Sequence, residues 1–280
     1  MTLNDIYHAI DPVALSLGPL QIRWYGLAYV AGFICAFLVI AKLSQRWKIR
    51  INDDAFFTVV FCVIFGVILG GRLGYVLVYG DGYYLQHPEK ILAFNEGGMS
   101  FHGGLVGVII GGVIAAKITK IPFLTLADMG VVGVPIGLFF GRCANFINGE
   151  LWGAPTDMPW GVVFGGAAGT MPRHPSQLYE ALLEGVVLFI ILFALSRKTP
   201  ARPHGTFFGT FLLFYGLFRF TIEFIRQPDA QIGYLLGTHW FTMGQALSIP
   251  LMVAGVVFLI YAWKTKKPQM GLPDSEISQS

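Results

Sequence analysis

Seven long apolar stretches, separated by short polar segments, constrain this chain more than any other feature of its sequence. They lie at about 20–41, 55–79, 101–116, 124–141, 177–195, 205–225 and 243–263. A helix that crosses the hydrocarbon core of a bilayer needs about 20 apolar residues, and these runs are continuous rather than alternating as in a membrane β-strand. The sequence therefore predicts an all-α fold, a polytopic transmembrane helical bundle with about seven spans.

Composition excludes the other broad classes of protein. Charged residues make up 12% of the 280 residues, whereas a typical soluble domain has about 25%. The three cysteines, Cys35, Cys62 and Cys143, lie in or beside apolar stretches without CxxC spacing, which favours small buried side chains over a disulfide or metal site. Since the basic residues are scattered rather than arranged in a stripe, no nucleic-acid partner is predicted.

The basic residues of the short segments predict an orientation. Twelve of the nineteen Lys and Arg residues follow the first, third, fifth and seventh stretches: Lys42, Arg46, Lys48, Arg50, Lys117, Lys120, Arg197, Lys198, Arg202, Lys264, Lys266 and Lys267. If every stretch crosses the membrane, all twelve lie on one side, and basic loops favour the cytoplasm. The N-terminus is then outside and the C-terminus inside. Residues 1–267 form one membrane domain, and residues 268–280 form a polar cytoplasmic tail.

The other seven basic residues lie outside the spans or at their outer ends, where this rule disfavours them. They are Arg23, Arg72, Lys90, Arg142, Arg173, Arg219 and Arg226. A charge at membrane depth costs about 3 kcal/mol or more on insertion scales, so it requires a carboxylate, water or an anionic ligand. This distribution predicts a cationic site near the outer face.

Glycines recur at four-residue spacing in the second, third and fourth stretches. The three sets are Gly66, Gly70 and Gly74; Gly103, Gly107 and Gly111; and Gly133, Gly137 and Gly141. In a helix each set lines one face and allows close backbone approach. The pattern predicts tight packing of these three spans rather than a ligand groove made by glycine alone.

Two polar motifs lie at the outer ends of the third and fourth stretches. Ser100 can cap a helix start, and His102 in the first turn would favour a neutral imidazole that can act as a base. On spacing alone, a lone interfacial histidine bonded to a carbonyl is the more frequent alternative. Four polar residues lie within nine positions at the end of the fourth stretch: Arg142, Asn145, Asn148 and Glu150. An interfacial aromatic anchor does not need so many polar residues, so the cluster favours a site for phosphate or carboxylate. Glu150 is either a substrate contact or a support for one.

Charged residues also lie inside the fifth and sixth stretches. Glu180 and Glu184 share one face and need basic partners, for which the remaining arginines are candidates. A structural ion-pair network and a site role remain equal alternatives for them. In the sixth stretch, three residues at four-residue spacing stack along one face, with Arg226 one turn later. They are Tyr215, Arg219 and Glu223.

Several of these segments together resemble one known family. Residues 141–153 read Gly-Arg-x-Ala-Asn-Phe-Ile-Asn-x-Glu-x-x-Gly, which is similar to the signature of the prolipoprotein diacylglyceryl transferases. Residues 24–26, 98–104, 173–180 and 218–229 also resemble that family. The resemblance extends from about Asp11 to Trp263, and its long signature is specific.

The resemblance implies an activity. Family members transfer the diacylglyceryl group from phosphatidylglycerol to the thiol of the lipobox cysteine of preprolipoproteins, forming a thioether and releasing glycerol phosphate, the first step of bacterial lipoprotein maturation. The expected location is the bacterial cytoplasmic (inner) membrane, multi-pass, with the active site toward the outer leaflet. The expected partners are phosphatidylglycerol, membrane lipid and lipobox-containing preprolipoproteins, and no metal or organic cofactor is implied.

The resemblance also implies site residues. The family's essential positions correspond here to Tyr25, His102, Arg142, Asn145, Gly153, Tyr215, Arg219 and Glu223, and we add Glu150 and Arg226 from their motifs. We expect Arg142 and Arg219 to hold the phosphate, and His102 to be the base, unless an arginine-activated thiolate makes a base unnecessary. Asn145 and Tyr215 would orient headgroup oxygens, while Glu223 would hold Arg219.

Two other function classes use similar residues. An anionic-lipid transporter or flippase would use the arginines without catalysing a reaction. It would also need a comparable cluster of polar residues on the inner side, where the loops contain little beyond the basic residues that set the orientation. A glycerolipid acyltransferase would use histidine as a base, but its usual His-x4-Asp pairing is absent after His102.

Overall fold

The computed structural model describes residues 2–18, 20–80, 82–93, 98–228 and 233–272. Its α-helices are α1 (Leu3–Ala9), α2 (Trp24–Trp47), α3 (Asp53–Tyr79), α4 (Tyr83–Gln86), α5 (Phe101–Thr119), α6 (Phe123–Asn148), α7 (Ser176–Glu180), α8 (Leu188–Ser196), α9 (Thr206–Ile222) and α10 (Met243–Thr265). A π-helical segment, Ala181–Val187, joins α7 to α8 in one continuous helix. Each predicted apolar stretch therefore contains a helix.

Five of these helices are long and apolar enough to cross a membrane: Trp24–Trp47, Asp53–Val78, Phe123–Asn148, Ser176–Ser196 and Met243–Thr265. Two shorter apolar helices are Gly103–Thr119 and Thr206–Ile222. The prediction of a mostly helical chain with several candidate membrane spans is confirmed, and five helices in the described residues meet the length and composition of a span.

A β-hairpin that the sequence prediction missed precedes α2. Strands β1 (Val13–Leu17) and β2 (Leu20–Arg23) pair antiparallel, with Leu17 opposite Leu20. Gly18 in the turn has φ +62°, a left-handed conformation that glycine adopts without strain. The first apolar stretch thus begins as a strand and becomes helical only at Trp24.

The chain divides into two compact units. One comprises Met1–Leu43 with Asp128–Pro268, and the other comprises Ser44–Ala127 with Gln269–Ser280.

In the second unit, glycines allow α3 and α5 to pack with their backbones in contact. A Cβ atom added to Gly70 would lie 2.8 Å from the Gly107 Cα, and one added to Gly74 would lie 2.6 Å from the Gly103 Cα. The predicted close packing of the second and third stretches is therefore confirmed. Ser100 also caps α5 as predicted, because its hydroxyl accepts a hydrogen bond from the Gly103 N–H at 3.2 Å.

The chain after Pro268 begins with packed residues. The Leu272 N–H donates to the Arg50 carbonyl at 2.9 Å, and the Leu272 side chain is buried with Ala55 and Ile121. Residues 273–280, most of the predicted tail, lie outside the described residues.

In the first unit, the glycines of α6 contact α2. A Cβ on Gly32 would lie 3.1 Å from the Gly137 Cα, and a Cβ on Gly133 would lie 2.9 Å from the Ala36 Cβ. A Cβ on Gly141 would meet open space. The glycines of the fourth stretch thus contact the first stretch, which four-residue spacing could not reveal, since it identifies a close-packing face but not its partner. Packing of the fourth stretch against the second and third stays a prediction.

Asp128 of α6 caps the start of α9. Its side chain is fully buried, and its two carboxylate oxygens accept hydrogen bonds from the N–H groups of Gly205 and Phe208, each at 2.7 Å. Gly205, the residue before α9, offers no side-chain cap of its own. A carboxylate from a neighbouring helix therefore satisfies the first backbone donors of α9 and complements its dipole.

Replacing Asp128 with alanine is expected to destabilise the fold by about 2 kcal/mol, because two backbone donors lose their buried acceptor. Thermal denaturation in detergent should show a lower midpoint for Asp128→Ala. Asp128→Asn keeps one side-chain acceptor and should lose less. Equal midpoints for wild type and Asp128→Ala would contradict the capping role.

Candidate functional site

The carboxylate of Glu180 joins two arginines from different helices. The Glu180 Oε2 lies 2.6 Å from the Arg142 Nε of α6, and the Glu180 Oε1 lies 2.9 Å from the Arg219 Nη1 of α9. Glu180 is fully buried, while the arginine side chains are 17% and 13% exposed. Two guanidinium groups that share one carboxylate lie close together, as the sequence analysis expected for partners of Glu180.

Ion pairs extend from this centre in both directions. The Arg142 Nη2 lies 3.6 Å from the Glu184 Oε2. The Arg219 Nη2 lies 2.5 Å from the Glu223 Oε1, the pairing predicted from their four-residue spacing, and the Arg226 Nη1 lies 3.5 Å from the same oxygen. We call this series the charged chain; its members, in order of contact, are Glu184, Arg142, Glu180, Arg219, Glu223 and Arg226. Its three arginines and three glutamates balance in formal charge.

Glu223 is held by the start of α10 as well as by arginines. The Thr242 hydroxyl donates a hydrogen bond of 2.5 Å to the Glu223 Oε2. A Cβ on Gly244 would lie 2.6 Å from the Glu223 Oε1, so a side chain at this position would collide with the carboxylate. The sequence analysis missed Thr242, although Thr242-x-x-Gln245 is a capping-box pattern and the structure has that box at α10.

Arg226 is not on the helical face where the sequence placed it. Helix α9 ends at Ile222, and Glu223 is its C-cap residue. Arg226 lies in an extended bridge opposite Gly153, and the Ala154 N–H donates to the Ile225 carbonyl at 2.9 Å. Backbone pairing, rather than another helical turn, therefore places Arg226 within reach of Glu223.

Gly153 lies where a side chain has no room. Its N–H donates to the His174 carbonyl at 2.9 Å. An added Cβ would lie 2.7 Å from both the His174 Cβ and the Ile225 carbonyl oxygen. Gly153 therefore allows the segment after α6 to pass between the segment before α7 and the segment after α9.

Asn145 and Glu150 contact each other at the end of α6. The Asn145 Nδ2 donates to the Glu150 Oε1 at 2.8 Å, and the Asn148 Nδ2 lies 3.4 Å from the same oxygen. The Gln177 Nε2 donates to the Glu150 carbonyl at 2.6 Å. These contacts tie the turn after α6 to the first turn of α7.

His174 and Tyr179 hold the adjacent segment in place. The His174 Nδ1 lies 3.3 Å from the Tyr179 hydroxyl oxygen, which accepts a 2.6 Å hydrogen bond from the Trp160 indole N–H. Burial lowers the pKa of His174 below its usual value, which favours the neutral imidazole at pH 7.

Two arginines that the orientation rule disfavoured donate hydrogen bonds to backbone carbonyls. Arg173 donates to the carbonyls of Ala168 at 2.8 Å and Gly153 at 3.3 Å, and its guanidinium lies 4.5 Å from the centre of the Trp152 ring. In the second unit, buried Arg72 donates to three carbonyls, those of Lys90, Ile91 and Gly98. The sequence does not predict these contacts, because every residue has a backbone carbonyl and none is marked as a partner by its side chain.

The remaining predicted site residues lie on three helices. Tyr215 is one turn before Arg219 on α9 and stacks on Phe211, with 5.5 Å between ring centres. Tyr25 is half-buried in the first turn of α2. His102 is the second residue of α5 in the other unit, and its side chain lies outside the part of the chain that the structure describes. The role of His102 stays a prediction.

This geometry suits anion binding. A guanidinium group presents a planar set of donors that matches the oxygens of phosphate or carboxylate, and two such groups near each other can hold both oxygens of one anion. In a largely buried setting their electrostatic effect is stronger than in water. Two adjacent guanidinium groups are the type of arrangement that binds phosphate and stabilises negative charge on it.

Comparison with known proteins gives a consistent result over nearly the whole chain. The sequence model of a family described as "Prolipoprotein diacylglyceryl transferase" matches residues 12–261. A phosphatidylglycerol–prolipoprotein diacylglyceryl transferase of Geobacter sulfurreducens is 52% identical over 257 residues, which cover 92% of this chain and 97% of the relative. Proteins of the same name from Nitratidesulfovibrio vulgaris and Rhodopseudomonas palustris are 49% identical over 254 residues and 46% identical over 279 residues. The alignment with the Nitratidesulfovibrio protein covers 89% of this chain and 94% of the relative. The alignment with the Rhodopseudomonas protein covers 96% of each.

Proposed function

This chain belongs to the prolipoprotein diacylglyceryl transferase family, and on that premise we propose that it transfers the diacylglyceryl group of phosphatidylglycerol to a cysteine thiol of preprolipoproteins. Glycerol phosphate is the leaving product, and the acceptor cysteine lies in a lipobox. The observation that carries the proposal is the pair Arg142 and Arg219, brought together by Glu180 with ion-pair distances of 2.6 and 2.9 Å.

The arginines act in the transfer step, in which negative charge develops on the leaving phosphate. The sulfur of the acceptor attacks the glyceryl carbon, a C–S bond forms, and the C–O bond to phosphate breaks with its electron pair moving to the phosphate oxygen. The thiol proton passes to His102 or, if the arginines alone activate the thiol, to water, because the thiolate is the nucleophile. Arg142 and Arg219 bind the phosphate and stabilise the charge of the leaving group. Glu223, fixed by Thr242, orients Arg219.

The neighbouring polar residues have supporting roles in this proposal. Asn145 and Tyr215 orient headgroup oxygens, and Tyr25 contributes to substrate binding from α2. Glu150 acts through Asn145, to which it is hydrogen-bonded, and Arg226 acts through Glu223. Gly153 allows the close backbone approach that places Arg226.

The proposal includes a location and an orientation. All seven apolar helices cross a bacterial cytoplasmic membrane, with the N-terminus outside and the C-terminus inside. The arginine site then faces the outer leaflet. Residues 1–267 are the transferase domain, and residues 268–280 are a cytoplasmic segment. The distribution of Lys and Arg between the short segments supports this arrangement.

A reconstituted assay tests the proposed function directly. Purified chain, phosphatidylglycerol and a peptide with a lipobox cysteine are incubated in mixed micelles, and the peptide is measured by mass spectrometry. We expect a mass gain equal to one diacylglyceryl group, and none on a peptide with serine in place of the cysteine. An acyl-sized gain would indicate an acyltransferase, and lipid movement in vesicles without modified peptide would indicate a transporter.

The role of His102 has its own test. If His102 accepts the thiol proton, His102→Gln should lower the rate by about a hundredfold and remove the histidine-dependent limb of the pH profile. A peptide analogue with a lower thiol pKa should recover part of the loss, since it needs less help from a base. Full activity of His102→Gln across pH would assign the thiol's activation to the arginines.

A further inference from the structure

The geometry points to Glu180 as a competing counter-ion: its carboxylate occupies the place of the lipid phosphate between Arg142 and Arg219, and the lipid must displace it. Glu180 thereby sets the affinity for phosphatidylglycerol and assists release of the phosphate product. This inference rests on the proposed function and adds to it a residue that determines affinity.

Glu180 lies between the two guanidinium groups, the position in which a phosphate would contact both of them. One carboxylate oxygen faces the Arg142 Nε at 2.6 Å, and the other accepts from the Arg219 Nη1 at 2.9 Å. A phosphodiester also presents two negatively charged oxygens on one atom, so it fits between the same two cations. Among the described residues, Glu180 is the only carboxylate within ion-pair distance of both arginines.

The hold on Glu180 is less complete than the hold on Glu223. The Arg142 Nε and the Glu180 Oε2 are close, yet neither makes a hydrogen bond with the described residues, so the N–H is not directed at the oxygen. One aligned hydrogen bond, from Arg219, remains. Glu223, by contrast, accepts hydrogen bonds from the Arg226 Nη1 and the Thr242 hydroxyl, and it also lies within ion-pair distance of Arg219.

The backbone at Glu180 is a second, independent observation. Glu180 is the last residue of α7, and the π-helical segment Ala181–Val187 begins directly after it. A π-helical turn inserted in an α-helix is uncommon and is found frequently at functional sites. The carboxylate that bridges the arginines thus lies where the helix changes its hydrogen-bonding pattern.

Charge balance explains why the lipid and Glu180 compete. The arginines and glutamates of the charged chain balance in formal charge, so a bound phosphate adds an anion to a largely buried network. Both anions cannot keep the same pair of arginine donors, and a buried anion that loses its partner is costly. After C–O cleavage, return of Glu180 to the arginines favours departure of glycerol phosphate, whose monoester group would otherwise be held strongly.

Charge-matched variants separate competition from a general electrostatic effect. Glu180→Gln and Glu184→Gln each remove one carboxylate from the charged chain, but among the described residues Glu184 lies within ion-pair distance of Arg142 and not of Arg219. Glu180→Asp keeps the charge and shortens the side chain, so one carboxylate no longer spans both arginines. The KM for phosphatidylglycerol and inhibition by glycerol phosphate are measured for each variant at a fixed peptide concentration.

We expect Glu180→Gln to lower the KM by threefold or more and to strengthen inhibition by glycerol phosphate by a similar factor. Glu180→Asp should shift both quantities in the same direction, and Glu184→Gln should shift them by less than half as much. A raised KM in Glu180→Gln, or an equal fall in Glu184→Gln, would overturn the inference.

Folding is checked by gel filtration and thermal denaturation of each variant. If Glu180→Gln does not fold, Glu180→Asp decides, and failure of both to fold would make Glu180 a structural bridge and overturn the inference. The wild-type chain is assayed first. If it leaves the lipobox peptide unmodified, the proposed function itself fails, and this outcome is distinct from any result with the variants.

Discussion

Arg219→Ala is expected to lower kcat/KM for lipid transfer by about a thousandfold, the scale of losing a principal donor to a developing oxyanion. Arg219 contacts both Glu180 and Glu223, so its removal also leaves two buried carboxylates without their main cation. Peptide modification is measured by mass spectrometry over a range of lipid concentrations.

Two variants serve as controls for this prediction. Arg219→Lys keeps the charge but loses the planar donor set, so it should recover only a small part of the activity. Arg197→Ala removes an exposed arginine at the end of α8 and should leave kcat/KM unchanged. Activity of Arg219→Ala within tenfold of wild type would show that Arg219 does not hold the phosphate.

Gly153→Ala is expected to reduce kcat/KM by about a hundredfold. The chain should remain folded, because overpacking at one position costs only about 1–3 kcal/mol of stability. The new Cβ would lie 2.7 Å from the Ile225 carbonyl oxygen and from the His174 Cβ. Relief requires movement of the backbone that pairs Gly153 with Arg226, which displaces Arg226 from Glu223.

The matched control is an alanine at a glycine with space around it. A Cβ on Gly130 of α6 meets no atom within 4 Å, so Gly130→Ala should preserve both activity and the midpoint of thermal denaturation. If Gly153→Ala and Gly130→Ala had the same kcat/KM, the close approach at Gly153 would be irrelevant to catalysis.

Features that depend on nearby residues could be predicted from the sequence. The apolar stretches became helices because their length and continuity leave few alternatives. The Ser100 cap and the Arg219–Glu223 pair also follow from spacings of three and four residues. The β-hairpin before α2 was absorbed into an apolar run, since its short strands are as hydrophobic as the helix that follows.

Features that depend on distant residues could not be predicted. The sequence identified Glu180 and Arg142 as needing partners, but only the packing of α6, α7 and α9 decides that one carboxylate serves two arginines. The position of Arg226 depends on where α9 ends and on backbone pairing with Gly153, more than seventy residues earlier. The sequence predicted an anionic partner for Arg173, whereas its guanidinium donates to the carbonyls of Ala168 and Gly153, which the sequence does not mark as partners.

The hydrogen bond from Thr242 to Glu223 has a consequence for biogenesis. Thr242 and Gly244 belong to the start of α10, which is synthesised after α9, and they complete the surroundings of the carboxylate at the end of α9. A nascent chain that ends before α10 has every arginine of the site but no hydroxyl to fix Glu223. A chain truncated between α9 and α10 is therefore expected to keep all three arginines of the charged chain and still lose activity, because Glu223 no longer holds Arg219 in one position.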